Sequence, residues 1–571
     1  MKRLFRKLGL ETRLSQNYIR GEIDPDEILI DAKNLPDYDL DRLEGKFEKP
    51  VTKRAIILVG VVFTLTLLVF AGKAWALQIH QGTLYAQKSE NNRLHEATII
   101  AERGIVTDRK GELLAWNIPN LSGDFPLRKY TEDPGFGILL GYISYPLKDS
   151  SGLYYQPYYV GKDGIESAFN TELAGKNGTQ ITETNALGDI ESQSLLEPPQ
   201  NGKTVQLSID TSVQRALFGY IKDLAEKVEF KGGSGVIMDI KTGELLAMTS
   251  YPEYNPQVLT DGVDKETIAS YAQAQNKPYL DRPISGVYTP GSIIKPYIAL
   301  GALSENIIDP EKQILSTGSI SVPNPYDKTK KTVFNDWKVH GLVDMRRAIA
   351  VSSNVYFFEI GGGFEDQKGL GISNIEKYLR FFGFGSQTGI NVGEEEVGTI
   401  PNPAWKADHF DGEEWRVGDT YNTAIGQYGM QVTSVQVVRA MASIANNGTL
   451  LKPTIIMNQG NNKGEKIPIK EEYLQIIREG MRAGVTDGGT AQALNIPEVT
   501  VAAKTGTAEL GSEKRSVNSW VTGFFPYENP RYAFIVQMES GPRANLTGAT
   551  FVMRSLFEWM AQNTPEYFRS E

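Results

Sequence analysis

No cysteine occurs anywhere in the 571 residues. Disulfides, thiolate metal sites, a catalytic thiol and a lipidated N-terminal cysteine are therefore excluded. The redox compartment stays open, because an oxidising exterior permits disulfides without demanding them. Histidine is nearly as scarce: His80, His95, His340 and His409 are the whole supply, and the sequence suggests neither a metal site nor a cofactor. Positive charge is short as well, 59 Lys and Arg against 69 Asp and Glu for a net −10, so nothing points to nucleic acid as a partner. There is no internal repeat, no long low-complexity tract, and no Gly-x-Ser-x-Gly turn of the kind a Ser-His-Asp hydrolase uses. What remains is ordinary globular composition, 40% hydrophobic and 22% charged, at a length that allows two or three domains.

One segment stands apart, Ala55 to Gly72, which carries no charge. As a helix it would span about 27 Å, close to the thickness of a bilayer core. Ala74–Leu77 lengthens it beyond Lys73, whose stem can snorkel. Ala74-Trp75-Ala76 resembles a signal-peptidase site, yet the residues preceding the apolar run are too many for a signal peptide, so an uncleaved anchor is expected. Arg42, Lys46, Lys49, Lys53 and Arg54 crowd its N-terminal flank, which the positive-inside rule places in the cytoplasm. The expected organisation is a cytoplasmic tail over 1–53, an anchor over 54–79 and an extracytoplasmic remainder. The tail, with its acidic stretch DPDEILIDAKNLPDYDLD, reads as a flexible docking segment or a plain linker.

Beyond the anchor, residues 80–94 predict a helical extension. ATIIAERGIVTDRKGELLAWN predicts β-rich pieces around the turn Arg109-Lys110-Gly111, and the Gly-, Pro- and Tyr-rich stretch 130–200 predicts an irregular strand-and-loop domain. A hairpin is expected around Lys241-Thr242-Gly243, then helices alternating with loops from about residue 290. Strand signals return at TVAAKTGTAEL and at WVTGFFPYENPRYAFIVQMES, the latter turning at Glu528-Asn529-Pro530. Strands early, helices in the middle and strands late predict an α+β domain whose sheet closes from both ends.

The chemistry begins at YTPGSIIKPYIALGAL. Pro290 and Gly291 break structure, and Pro296 is tolerated only in a first turn, so a helix must start near Ser292. Ser292 and Lys295 then share one face. A lysine desolvated in a cleft can be neutral enough to take the serine proton, which answers the lack of a well-placed histidine. The helix N-terminus adds N–H groups where an oxyanion would form. Ser-x-x-Lys occurs only at this place in the chain. Ser352-Ser353-Asn354 and then Lys504-Thr505-Gly506-Thr507 follow in order. Other Ser-x-Asn matches start at Ser15, Ser89, Ser304 and Ser516, and another Lys-Thr-Gly at Lys241; Ser304 is expected on the same helix as Ser292, and the others fall outside the order.

A Ser-x-x-Lys helix, a Ser-x-Asn loop and a Lys-Thr-Gly strand together resemble the penicillin-recognising serine enzymes. ERGIVTDRKGELLAWN, VGKDGIESAFNTELAG, GVIMDIKTGELLAMTSYPEYNP and FGFGSQTGINVGEEEVGTIPNPAWK resemble class B penicillin-binding proteins over about residues 97–545. GVYTPGSIIKP and PNPAWK are most similar to the penicillin-binding protein 2 elongation type. One departure is IGQYGMQVTSVQ, where that family usually has Gly-Gln-Gly and Thr-Pro. The resemblance implies a β-rich pedestal over 80–204 and a transpeptidase domain over 205–571, an antiparallel sheet flanked by helices. It implies a peptidoglycan D,D-transpeptidase that cross-links stem peptides through an acyl-serine and is inhibited by β-lactams, in the plasma membrane beside a RodA-type glycosyltransferase. Ser292 is then the nucleophile, Lys295 its base and Ser352 a proton relay, with Lys504 supplying positive field. Asn354 holds the donor amide, Thr505 and Thr507 meet its carboxylate, and Gly506 keeps the strand bare. The alternatives are a septal transpeptidase, a β-lactamase or β-lactam sensor using Glu365, a D,D-carboxypeptidase, and a protein acting chiefly as a scaffold for its membrane partner.

Overall fold

The computed structural model describes residues 52–85, 94–121, 123–150, 154–184, 190–324, 327, 329–458, 460 and 462–569. They fall into two units, one ending at Arg93 and one running from Leu94 to Glu571. In the first, an uncharged core drives a helix over Lys53–Trp75, followed by a wider turn over Ala76–His80. Its apolar side chains are all exposed, and over Lys53–His80 the chain is long and apolar enough to cross a membrane. The hydroxyls of Thr64 and Thr66 donate back to Gly60 O and Val62 O, each at 2.8 Å, so neither is left unpaired in an apolar surrounding. The acidic tail lies outside the described residues. The helical extension expected over 80–94 is only partly described, and Leu94 already begins a strand.

The second unit opens with small sheets. Leu94–Ile99, Gly178–Thr184 and Ile190–Glu197 form one. The hairpin around Arg109-Lys110-Gly111 is present, Val106 pairing with Ala115, but the preceding ATII segment pairs with Gly178–Thr184 instead. Beneath it lies a charged core of three side chains with no solvent exposure. Glu166 accepts from Arg103 Nε at 2.5 Å and from Arg128 Nε at 2.7 Å. Glu166→Ala would leave two buried guanidinium groups without a counter-charge, and a loss of about 3–5 kcal/mol is expected, read as a lowered Tm.

The remainder is built on a five-stranded antiparallel sheet. Its strands are β1 (Gly232–Asp239), β2 (Leu245–Tyr251), β3 (Ala502–Leu510), β4 (Ser516–Phe525) and β5 (Tyr532–Pro542), in the order β2-β1-β5-β4-β3. The predicted hairpins are β1–β2 and β4–β5, and the pairing of β1 with β5 joins the two ends of the domain. The helices that matter here are α1 (Thr211–Val228), α2 (Lys295–Ser304), α3 (Met345–Val351), α4 (Asn354–Gly362), α5 (Ser434–Ala445) and α6 (Ala549–Asn563). Strand alternation divides the core. Ile237, Val521 and Phe534 pack with α1 and α6, whereas Val236, Phe524 and Ile535 pack with α2 and α5. Helix α2 is buried from Lys295 to Leu303, so it runs through the core, and β3 is left at the sheet edge beside its start.

Candidate active site

Ser292 sits in a tight 3₁₀ turn, Gly291–Ile294, that runs directly into α2 with Pro296 in the first turn. Its neighbours Ile293, Ile294 and Lys295 are buried while Ser292 is half-buried, so apolar packing leaves the hydroxyl turned to the cleft. Gly291 has φ +58°, and a Cβ there would stand 2.7 Å from Thr507 O. Its N–H donates to Gly426 O at 2.9 Å, and Trp520 Nε1 donates to Thr289 O at 3.0 Å. The turn is thereby clamped between β3, β4 and the loop at Gly426.

Lys295 projects from α2 into the Ser-Ser-Asn loop, where Nζ donates to Ser352 O at 2.7 Å, Asn354 Oδ1 at 2.7 Å and Ser352 Oγ at 3.3 Å. Lys504 Nζ comes from β3 and donates to the same Ser352 Oγ at 2.8 Å. Two lysines therefore converge on one buried hydroxyl. Burial pushes Lys295 down to about 7, with the Asp336 carboxylate opposing the shift. Burial, and then the Lys295 charge, drive Lys504 well below its ordinary value. Ser352 ends α3 in the left-handed region at φ +58°. That conformation costs a non-glycine residue of order 1–3 kcal/mol and persists only where its surroundings fix it.

Along β3, Thr505, Gly506 and Thr507 line one cleft of about 1120 Å³ together with Ser292, Ser352 and Asn354. Gly506 pairs with Trp520 in unbroken register, so it marks no bulge. A Cβ at Gly506 would meet Pro290 O at 2.8 Å and Ile293 Cγ2 at 2.9 Å, so glycine is required where the strand presses against the Ser292 turn. The other Lys-Thr-Gly lies in the β1–β2 turn, with Lys241 and Thr242 exposed, and Ser304 ends α2 away from the cleft.

Two cleft residues were not singled out from the sequence. Thr490 Oγ1 accepts from Thr505 Oγ1 at 2.6 Å, beside the expected carboxylate site. Asp336 lies behind the Ser-Ser-Asn loop, and Ser353 Oγ donates to its Oδ2 at 2.8 Å. Tyr428 explains the sequence departure: its φ is +62°, the backbone region that favours glycine. Ring contacts to Trp405 at 5.8 Å, Phe410 at 6.2 Å and Trp415 at 5.7 Å hold it there. Ser434 stands at the first position of α5, where proline is at home, and its Oγ pairs with Ser234 Oγ at 2.8 Å. Glu365 is exposed and does not line the cleft, and His409 ends a helix over Pro403–His409 stacked on Trp405.

Comparison with known proteins agrees with this geometry. The penicillin binding protein transpeptidase domain matches residues 233–558, and the penicillin-binding protein dimerisation domain matches 122–207. The peptidoglycan D,D-transpeptidase MrdA of Salmonella typhimurium is 29% identical over 468 residues, which are 76% of this chain and 72% of that one. The penicillin-binding protein PBP2 of Helicobacter pylori, solved in complex with MreC, superposes with a TM-score of 0.68 at 27% identity, covering 82% of this chain and 99% of the other. A chain of a peptidoglycan synthase complex that coordinates polymerisation and cross-linking superposes with a TM-score of 0.69 at 25% identity, covering 89% and 98%.

Proposed function

The chain belongs to the penicillin-binding protein transpeptidase family, and from that premise we propose that it cross-links peptidoglycan stem peptides as an elongation-type D,D-transpeptidase. The observation that carries the reading is the convergence of Lys295 and Lys504 on Ser352, with Asn354 accepting from Lys295, in the cleft that Ser292 faces.

In this mechanism Ser292 Oγ attacks the carbonyl of the donor's penultimate D-Ala while Lys295, in its neutral form, accepts the proton. The C–N bond to the terminal D-Ala breaks, and the proton passes by way of Ser352 Oγ to the departing amine. The 3.3 Å and 2.8 Å contacts of Lys295 and Lys504 with that hydroxyl make it a suitable relay. The closeness of Gly291 to Thr507 O supports an oxyanion hole formed by the N–H groups of Ser292 and Thr507. Thr505 and Thr507 receive the donor carboxylate, Asn354 its amide, and the bare Gly506 leaves the strand open to the donor backbone. An amine from a neighbouring stem peptide then takes the acyl group. The exposure of Glu365 disfavours deacylation by a dedicated glutamate, so a β-lactam adduct should last.

We read 80–204 as the pedestal and 205–571 as the transpeptidase domain. The basic residues before the apolar helix favour a cytoplasmic N-terminus and an extracytoplasmic catalytic unit. The likeness to a synthase-complex subunit supports a membrane-embedded, RodA-type glycosyltransferase as partner.

The test is labelling of the full chain in detergent with a fluorescent penicillin, followed by intact mass and peptide mapping. A lasting adduct on Ser292 is expected, and rapid turnover without one would make the protein a hydrolase. The pH profile follows from the base. A lysine must be unprotonated to accept a proton, so the acylation rate should rise about tenfold per pH unit below about 7 and level off above it. A rate that falls across that range would give Lys295 a role as a charge instead.

A further inference from the structure

The Asp336 carboxylate belongs to none of the three motifs, yet it braces the segment that presents the second. It follows the strand Lys331–Asn335. Its Oδ2 accepts from Ser353 Oγ at 2.8 Å, from the Val355 N–H at 3.0 Å and from Ser316 Oγ at 3.2 Å. Its Oδ1 accepts from the Trp337 N–H at 2.8 Å. Ser353 caps α4 by accepting from the Tyr356 N–H at 3.3 Å, so Asp336 grips both the cap residue and the first turn of that helix.

The gripped segment is the strained one. Ser352 holds its left-handed conformation immediately before Ser353, and that conformation lets Ser352 O and Asn354 Oδ1 meet Lys295 Nζ at 2.7 Å each. The charge balance runs the same way. Lys295 from α2 and Lys504 from β3 share this buried corner, with His340 and Lys338 from the loop after Trp337 and Arg347 from α3 nearby. His340 Nε2 lies 3.6 Å from Asp336 Oδ1, and burial holds its pKa below the ordinary 6.5. Burial alone would raise the Asp336 pKa. The N–H groups of Asn354 and Val355, the Lys295 charge and the Ser353 hydroxyl together hold it below the usual carboxylate value.

We infer that Asp336 is a positioning residue of this site: it fixes the Ser352–Asn354 turn against Lys295 and supplies the negative charge that faces this buried lysine. The inference rests on the acyl-transfer reading above.

Its test is the pH dependence of acylation by a fluorescent penicillin, measured on the full chain in detergent for the wild type, Asp336→Asn, Asp336→Glu and Ser353→Ala. Removing a negative charge beside a lysine disfavours its protonated form, so Asp336→Asn should move the midpoint of the profile about one unit lower. Its plateau should fall at least about tenfold as the turn relaxes, and Asp336→Glu should return the midpoint to its wild-type position. An unmoved midpoint in Asp336→Asn overturns the inference, whether or not the plateau falls. Should that variant fail to fold, Ser353→Ala keeps the charge and removes the Asp336 contact together with the α4 cap. Its plateau should drop about threefold or more with the midpoint unmoved, and a wild-type plateau overturns the inference. A wild type that is never acylated on Ser292 would instead fail the acyl-transfer reading itself.

Discussion

Lys295→Ala is expected to slow acylation by a penicillin about 10²–10⁴-fold, the range that a positioned general base contributes. The argument rests on burial. Lys295 has no solvent exposure and its pKa is brought to about 7, so a substantial fraction is neutral at physiological pH. An exposed lysine near its ordinary value would offer almost none. Alanine also removes the donors to Ser352 O and Asn354 Oδ1, so a slower rate could reflect a loosened loop. Lys295→Arg separates the two causes, because guanidinium keeps its charge and its donors but does not deprotonate. It should be about as slow as alanine, with both variants showing cooperative melting. Wild-type labelling in either variant would remove Lys295 from the role of base.

Ser292→Ala should yield no covalent adduct at all by intact mass. The neighbouring hydroxyls of the other two motifs are engaged: Ser352 Oγ accepts from Lys504 at 2.8 Å, and Thr505 donates to Thr490 at 2.6 Å. Ser292 alone combines exposure to the cleft with a place at the start of a buried helix, where free N–H groups and the helix dipole favour an oxyanion. An adduct that survived in Ser292→Ala and mapped to Ser352 would transfer the nucleophile to the second motif.

The fold was legible wherever its signal was local. The β1–β2 and β4–β5 hairpins follow from strand periodicity interrupted by turn residues, and the start of α2 follows from Pro296. The ATII segment was legible as a strand but its pairing was not, because its partner Gly178–Thr184 lies far along the chain and no nearby turn announces it. The need for glycine at position 506 has a second source that the sequence does not display, the close approach of Pro290 O and Ile293 Cγ2.

By itself, the sequence determined the order and spacing of three short motifs, the anchor-length apolar helix and the helix start that places Ser292 and Lys295 together. These depend on residue type and local geometry, which a linear string carries in full. Only the tertiary structure decided that Lys295 and Lys504 reach the same hydroxyl, and that Asp336 braces the turn between them. Proton affinity depends on burial and on charges brought close from distant parts of the chain, and neither exists until the chain has folded.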